Sequence, residues 1–284
     1  MKVNAQGVLE TSNIYFHTPS EMARKMFFYP VCTGHYFCDK TYIVNRRSYN
    51  SFLLLLVLKG RGYVELSGRR TALSEGSLAL IDCYRDHCYG SEHGWEIVWC
   101  HFDGVLARTY YESIAGDGKC VIALPDPHTA ERSLGKIYSM FHDARKASEA
   151  SISKHLTVVL TEFLLAEDAS ANDSQESGAT ERILAYIAEN VSQPLTLEHL
   201  AQKAALSPFY FTRVFKKETG YTPHEYLINA RVNAAKYYLK TSDMPVKEVS
   251  IHCGFASECT FCTTFRKIVG TTPLLYRRHE GPSS

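Results

Sequence analysis

Short apolar runs separated by polar turns dominate the first part of the chain, over about residues 10–125. In the stretch Ser51–Asp82 these runs are broken at KGRG, SGRR and SEG, and Val64 and Leu66 alternate with polar neighbours. A second strand-like run covers Trp95–Phe102. A period of two with regular glycine-containing turns predicts strands of a β-sandwich or barrel, exposed on one face.

The period becomes helical from about His128 to Ala166. Two amphipathic helices are predicted there, because apolar residues recur at intervals of three and four. The two stripes are Leu134, Ile137, Tyr138 and Phe141, and then Leu156, Val159, Leu160, Phe163 and Leu164. Both stripes could pack on the sheet, or one could form the seam of a homodimer.

A small, polar and acidic segment, AEDASANDSQESGATE, separates this part from the rest. It has no aromatic residue that could build a core, so we expect a linker over residues 167–180. The predicted organisation is therefore α+β with two domains, a β-rich domain over residues 1–166 and an all-α domain over residues 181–284.

The all-α part contains one piece twice. FYFTRVFKKETGYTPHEYL begins at Phe209, and CTFCTTFRKIVGTTPLLYR begins at Cys259 with the same aromatic, glycine and Thr-Pro positions. Each copy follows a shorter helical segment and a tight break. The pattern predicts two helix-turn-helix motifs, at about 196–217 and 246–268. A long helix, HEYLINARVNAAKYYLK, is predicted to join them rigidly.

Both second helices carry matching start and stop signals. Ser207 and Ser257 are predicted N-caps, and Gly220 and Gly270 are predicted C-terminal stops. The first helices of the two motifs align with an offset of 49 residues and the second helices with an offset of 50. We therefore expect the second turn to be one residue longer, with Gly254 in it at positive φ.

Each second helix has one apolar stripe, Phe211, Val214 and Phe215 or Phe261, Phe265 and Ile268, and a polar, partly basic opposite side. A helix of this kind can lie in the major groove of DNA, where arginine reads guanine. Basic side chains and cap hydroxyls suit phosphates. Arg213 is thus a candidate base contact, and the candidate phosphate contacts are Ser207, Lys216, Lys217, Ser257, Arg266 and Lys267.

Charge and composition agree with a DNA reader. The 284 residues are 45% hydrophobic and 21% charged, with a net charge of +1. Residues 181–284 hold 13 basic and 9 acidic residues, whereas the first 180 hold 18 and 21. The acidic and basic halves point to an anionic partner for the second part. With nine scattered cysteines, no export signal and no bilayer-length apolar run, a cytoplasmic protein is expected.

At residues 180–279 the chain resembles the DNA-binding domain of AraC/XylS-family transcription regulators. The resemblance rests on the GF turn, the Phe-Lys/Arg-Lys helix, Gly-x-Thr-Pro and the closing Tyr-Arg. It implies seven helices, double-stranded DNA as a partner, and RNA polymerase if the protein activates transcription. The base-reading positions it implies are Phe209, Thr212, Arg213, Glu258, Cys259 and Thr263. Cys262 and Thr263 depart from the family's common Ser-Arg, so we expect the first copy to read DNA more strongly.

Residues 15–165 are similar to the cupin-like effector domain of the arabinose-regulator subgroup. The Gly-x-Gly turn, the Gly-Ser-Leu turn and the closing His-Phe strand carry the similarity. It implies a barrel that senses a sugar or related small molecule and controls catabolic genes. The effector-binding residues it implies are Arg46, Arg47, His87, Tyr89 and Trp99, with the segment around Pro19. We expect His101 to be a core histidine.

Two alternatives from other classes stay open. The barrel could belong to a cupin-type enzyme with a helical interaction module, or the regulator could respond to a protein partner. The first is disfavoured because metal cupins need converging histidines and a carboxylate, and His87 stands alone on its strand. Cys259 and Cys262 form a single Cys-x-x-Cys pair on a helix, which could sense oxidation but predicts no zinc site. No catalytic residue, metal or cofactor is expected.

Overall fold

The computed structural model of the protein describes residues 5–115, 120–143, 148–172 and 177–278. The chain divides into two units, Met1–Ala169 and Ser170–Ser284. The first is rich in sheet and the second is helical, which confirms the α+β class. Over the residues described, no helix is both long and apolar enough to cross a bilayer.

The first unit has eight strands, which follow from the alternation of polar and apolar residues, and two short helices between them. They are β1 (Asn13–Phe16), α1 (Glu21–Met26), β2 (Phe28–Cys38), β3 (Ile43–Arg46), β4 (Phe52–Leu66), β5 (Arg69–Ser74), β6 (Ser77–Asp82), β7 (His87–Gly104), α2 (Ala107–Ala115) and β8 (Val121–Ala123). Strand pairs are antiparallel, in the order β1-β2-β7-β4-β6-β8, with β3 on β7 and β5 on β4. Within the described residues β1 and β8 do not pair, so the expected barrel is cupin-like but not closed.

The helices α3 (His128–His142) and α4 (Glu149–Asn172) cover one face of the sheet. Their buried stripes meet the even-numbered side chains of β4 and β7, including Leu54, Leu56 and Phe102. Both predicted stripes therefore pack mainly on the sheet of the same chain. Period two explains the pairing, since alternate residues of a strand share a face.

The opposite face of the sheet carries a second core. Cys32 and Tyr36 of β2, Leu53 and Leu55 of β4, and Trp99 of β7 belong to it. In β4 and β7 these positions are odd-numbered, so a strand such as β4 is buried on both sides. The cavity described below lies on this face.

The second unit has seven described helices, as expected. They are α5 (Ser177–Glu189), α6 (Leu197–Lys203), α7 (Pro208–Thr219), α8 (Pro223–Thr241), α9 (Val246–His252), α10 (Glu258–Val269) and α11 (Pro273–Arg278). The predicted linker over 167–180 overlaps the end of α4 and the start of α5, and residues 173–176 lie outside the described residues. Ala179 and Thr180 are buried, because the first turns of α5 pack into the second unit.

The two helix-turn-helix breaks differ by one residue, as predicted. Residues 204–207 separate α6 from α7, and residues 253–257 separate α9 from α10. Both breaks contain one residue in the left-handed region, Ala205 at φ 57° and Gly254 at φ 80°. Glycine is needed at the second position for a further reason. A Cβ on Gly254 would lie 2.9 Å from the Val191 carbonyl oxygen.

The long helix α8 belongs to both motifs. Leu227, near its start, is buried with α5, α6 and α7, whereas Val232 and Leu239 are buried with α9 and α10. Between them, the Arg231 guanidinium donates hydrogen bonds to the Val191 and Gln193 carbonyls at 3.0 and 2.7 Å. A single helix thus shares its apolar side chains between two cores, which agrees with the predicted rigid connection.

Candidate nucleic-acid interface and ligand cavity

The second helix of the first motif, α7, begins at a side-chain N-cap. The Ser207 hydroxyl accepts a hydrogen bond from the Tyr210 amide at 3.4 Å, and Pro208 occupies the first helical position. The cap fixes where the helix begins and therefore which side chains share its outer face. The helix ends at Gly220, whose φ is 78°.

The outer face of α7 combines an aromatic ring with three cations. Phe209 is 84% exposed, although phenylalanine is usually buried. Arg213, one turn later, is exposed, and its guanidinium lies 5.1 Å from the centre of the Tyr210 ring. Lys216 and Lys217 continue the exposed face. Residues spaced by three and four share one side of a helix, so these groups can meet one surface together.

Thr212 is less available than the other predicted base readers. It is half-buried, and its hydroxyl donates to the Pro208 carbonyl at 2.8 Å. This bond uses its hydroxyl proton, so Thr212 offers DNA its oxygen lone pairs and its methyl group. Contact with a thymine methyl group is compatible with that geometry.

The second helix of the second motif, α10, has the same kind of N-cap and glycine stop, but its outer face is less basic. Ser257 accepts from the Thr260 amide at 3.2 Å, and Gly270 ends the helix at φ 83°. Glu258, Cys259 and Thr263 are exposed at its start and middle. The two exposed cations of the last turn are Arg266 and Lys267. An acid thus stands at the first position of α10, where α7 has Pro208, and Cys259 stands where α7 has the exposed ring of Phe209.

The inner faces hold the two helices by the same ring pairs. Phe211 and Phe215 are fully buried in α7, and Phe261 and Phe265 are fully buried in α10. In each pair the ring centres lie about 5.5 Å apart in an edge-on arrangement. The predicted apolar stripe of α10 was wrong at Ile268, which is 41% exposed because it lies beside the stripe.

No salt bridge in the described residues neutralises the cations of α7 and α10. Their charge is therefore open to an external anion. Phosphate oxygens of a DNA backbone are such anions, and releasing their counterions would favour binding at low salt.

The first unit encloses a cavity of about 200 Å³ on the sheet face away from α3 and α4. Strands β1, β2, β3 and β7 and the segments beside β3 supply its walls. The lining residues are Ile14, Phe16, Cys32, Tyr36, Tyr42, Val44, Arg46, Tyr49, Tyr89, Trp99 and His101. Most are aromatic, and their even spacing along each strand follows from the period of two.

Trp99 shapes the cavity floor. It pairs across the sheet with Gly34, and a Cβ on that glycine would lie 2.5 Å from the indole. The absence of a side chain at Gly34 thus lets the indole lie over β2. The indole N–H is buried and has no hydrogen-bond partner among the described residues. An unpaired buried donor is costly, and a ligand acceptor would relieve that cost.

Three of the five predicted effector residues line the cavity, namely Arg46, Tyr89 and Trp99. Arg47 is exposed and is not among the lining residues. His87 is buried behind the wall, with Nδ1 2.8 Å from the Arg85 carbonyl oxygen. The wall expected near Pro19 is instead supplied by β1, through Ile14 and Phe16.

His101 faces the cavity, although the sequence suggested only a core role. Its Nδ1 lies 2.9 Å from the Ser51 hydroxyl, which is the hydrogen bond expected of a core histidine. Burial, with the nearby charges of Arg46 and His87, lowers the pKa of His101 to about 3, so it is neutral at pH 7. The sequence could have predicted this position, because His101 follows Trp99 by two residues on β7 and therefore lies on the same face of the strand.

The described residues hold no group of three or more histidine, cysteine or acidic side chains able to bind a metal ion. Cys259 is exposed and Cys262 is half-buried. Burial and the neighbouring Glu258 and Cys259 raise the pKa of Cys262, which disfavours its thiolate.

Comparison with known families matches both units. The AraC-like ligand binding domain matches residues 29–160, and a helix-turn-helix domain matches residues 200–279. The first match covers the sheet except β1 and the start of β2, and the second covers α7 and α10.

Curated relatives include two that align along most of the chain. The transcriptional activator NphR of Rhodococcus sp is 28% identical over 256 residues, 84% of this chain and 73% of that protein. The HTH-type transcriptional activator RhaR of Enterobacter sp. (strain 638) is 24% identical over 240 residues, 80% of this chain and 84% of that protein. A shorter match, 40% over 96 residues, links 34% of this chain to 46% of the bifunctional transcriptional activator/DNA repair enzyme AdaA of Bacillus subtilis (strain 168).

Proposed function

Because the chain belongs to the AraC family of transcription regulators, we propose that it reads a specific DNA site with α7 and α10 and changes that activity when a small molecule fills its cavity. The protein is a DNA-binding regulator with a ligand-binding domain. The finer proposal concerns which residues do each task, and how ligand occupancy shifts the population of binding-competent arrangements.

One observation carries the DNA-binding proposal. Two helices with matching caps, stops and ring pairs present unpaired cations outward, and α8 shares its side chains between both cores. Two rigidly joined helices can enter successive major-groove segments, which lie about 34 Å apart along one face of the duplex. A basic helix face that is merely exposed to solvent would not explain why the same arrangement occurs twice.

Within this interface we assign different tasks to the two helices. Phe209, Thr212 and Arg213 of α7 read bases, and Arg213 is suited to guanine O6 and N7. On α10 the proposed base-reading residues are Glu258, Cys259 and Thr263. The caps Ser207 and Ser257, with Lys216, Lys217, Arg266 and Lys267, bind phosphates. Because α10 lacks an arginine at its centre, it contributes more through phosphates and groove shape.

The effector is proposed to be a saccharide or a related ring compound. The indole of Trp99 offers a flat apolar surface for one face of a ring, and Arg46 and Tyr89 offer hydrogen bonds at its edge. We propose that the protein controls genes for enzymes that consume this effector. We propose no catalytic activity and no cofactor for the domain.

A homodimer, a cytoplasmic location and contact with RNA polymerase complete the proposal. A symmetric DNA site requires two copies, and the relatives NphR and RhaR are named as activators. Sedimentation of the full chain tests the dimer. Since most of both stripes of α3 and α4 is buried in the chain, we expect the dimer surface to include other residues.

The test is a gel-shift titration of the full chain on its own upstream DNA at defined salt. We expect binding that exceeds binding to random DNA of equal length by about 10³-fold or more. Equal affinity for both DNAs would contradict the proposed function. A thermal-shift screen of sugars and sugar derivatives separates a small-molecule regulator from one that responds to a protein partner.

A further inference from the structure

We propose that the ligand of the cavity is a small ring compound that carries a carboxylate, bound by the guanidinium of Arg46, and that neutral sugars are poor ligands. This inference rests on the effector-binding role proposed above. It concerns the charge of the ligand, which neither the family match nor the fold determines.

The first observation is the charge of the wall. Among the lining residues that the structure describes, Arg46 is the one with a permanent charge, and none is an aspartate or a glutamate. In the described part of the chain no carboxylate forms a salt bridge with Arg46. Its guanidinium lies 5.1 Å from the centre of the Tyr49 ring, and its backbone pairs with His87 of β7. Arg46 is exposed, and the strand and the ring hold its uncompensated charge beside the cavity.

The second observation is that the wall is rich in donors. Burial raises the pKa of Tyr36, Tyr42 and Tyr89, so each keeps a phenolic proton at pH 7. Trp99 adds a buried N–H without a partner. The low pKa of His101 keeps that ring neutral, so it does not compete with Arg46 for an anion.

These groups fit a ligand with a hydrogen-bond acceptor group, such as a carboxylate, better than they fit a neutral sugar. Every sugar hydroxyl brings a proton that needs an acceptor, and the wall offers only neutral oxygen, nitrogen and sulfur atoms. A carboxylate brings only acceptors, and a planar guanidinium can bind both of its oxygens at once. The ligand must also be small, since about 200 Å³ is below the usual range for drug-sized ligands. A six-membered ring with one carboxylate meets both conditions.

Two ring types share this chemistry, a sugar acid and an aromatic acid, and the experiment separates them. Galacturonate and galactose form one matched pair, and benzoate and benzamide form the other. Each compound is titrated into the full chain at pH 7, with intrinsic tryptophan fluorescence and thermal shift as readouts. Both tryptophans lie in the first unit, so the fluorescence reports on the cavity side of the protein.

We expect at least one acid to bind and its neutral partner to bind about 10- to 100-fold more weakly, the range of a hydrogen-bonded charge. Arg46→Gln should lose the same factor for that acid. Arg69→Gln removes an exposed arginine of β5, outside the cavity, and should bind like the wild type. Thermal unfolding of both variants checks that they fold.

The inference is overturned if galactose binds as tightly as galacturonate, if folded Arg46→Gln keeps wild-type affinity for the acid, or if none of the four compounds binds. Each of these results is compatible with specific binding to the upstream DNA in the gel shift. Loss of DNA preference would instead remove the proposed function, so the two failures are distinguishable.

Discussion

The two helix-turn-helix breaks make opposite predictions for exchanges between alanine and glycine. Ala205 and Gly254 both have positive φ, at 57° and 80°. A residue with a Cβ in this region costs about 1–2 kcal/mol relative to the right-handed conformation. Gly254→Ala should therefore destabilise the fold by that amount. Ala205→Gly should remove the strain, but it also raises the entropy of the unfolded chain, which lowers stability by up to about 1 kcal/mol.

The surroundings of Gly254 add a steric cost. A Cβ there would lie 2.8 Å from the Ser192 carbonyl oxygen, 2.9 Å from the Val191 carbonyl oxygen and 3.0 Å from Nε of Arg231. Backbone oxygens cannot move away as a side chain would, and Arg231 is held by its two carbonyl bonds. Overpacking of this kind costs about 1–3 kcal/mol. The unfolded-chain entropy offsets up to about 1 kcal/mol in Gly254→Ala, so its total expected cost is about 1–5 kcal/mol, against about 0–2 kcal/mol of stabilisation for Ala205→Gly.

Urea unfolding followed by far-ultraviolet circular dichroism measures both changes. Tryptophan fluorescence is the internal control, because Trp95 and Trp99 lie in the first unit and their transition should not shift. A cost below about 1 kcal/mol for Gly254→Ala, or a loss of stability for Ala205→Gly as large as that for Gly254→Ala, would refute the reasoning.

Two further predictions concern pH in the first unit. The folded pKa of His101, about 3, lies below the ordinary 6.5, so its stabilisation is complete above pH 6.5. Below that pH the unfolding free energy, followed by tryptophan fluorescence in urea, should fall by about 1.4 kcal/mol per pH unit, and His101→Gln should flatten the slope; an unchanged slope in the variant would contradict this. Glu149 accepts from the Ser20 amide at 2.7 Å and from the Ser20 hydroxyl, and these bonds lower its pKa. This contact is present above the ordinary carboxyl pKa and is lost as pH falls through the lowered value, so Glu149→Gln should speed amide exchange of α1 at pH 7; equal exchange rates would argue against it.

The periodicities were sufficient for most of the fold. Alternation predicted the strands, and Ser207, Gly220, Ser257 and Gly270 marked the ends of α7 and α10 correctly because caps act through local hydrogen bonds. The one-residue difference between the turns followed from the alignment of the copies. These features depend on neighbours in the chain, which the sequence displays directly.

Features that depend on distant partners were less accessible. The open sheet depends on which strand ends meet, and a period of two contains no such information. Ala179 and Thr180 are short residues in a polar segment, yet tertiary packing buries them in the second unit. Ile268 failed for a related reason, since small errors in the helical phase move a residue out of the stripe.

The cavity was predicted only in part. Trp99, Tyr89 and Arg46 were found by resemblance, whereas Tyr49 and Tyr36 enter the wall through the pairing of β2 and β7 and the path of the chain after β3. His101 could have been added by strand parity. The unpaired state of the Trp99 N–H could not, because it depends on every group around the indole.

The most direct test of the account is the equilibrium affinity of wild type and Arg213→Ala for the upstream DNA and for random DNA, over a series of salt concentrations. We expect Arg213→Ala to lose about 1–3 kcal/mol on the specific site and to tolerate a changed base at one position. Lys217→Ala, the matched cation on the same face, should weaken binding to both DNAs alike and reduce the salt slope by about one. Equal losses on both DNAs for Arg213→Ala, or no preference for the upstream DNA in the wild type, would contradict a sequence-specific reader built on α7.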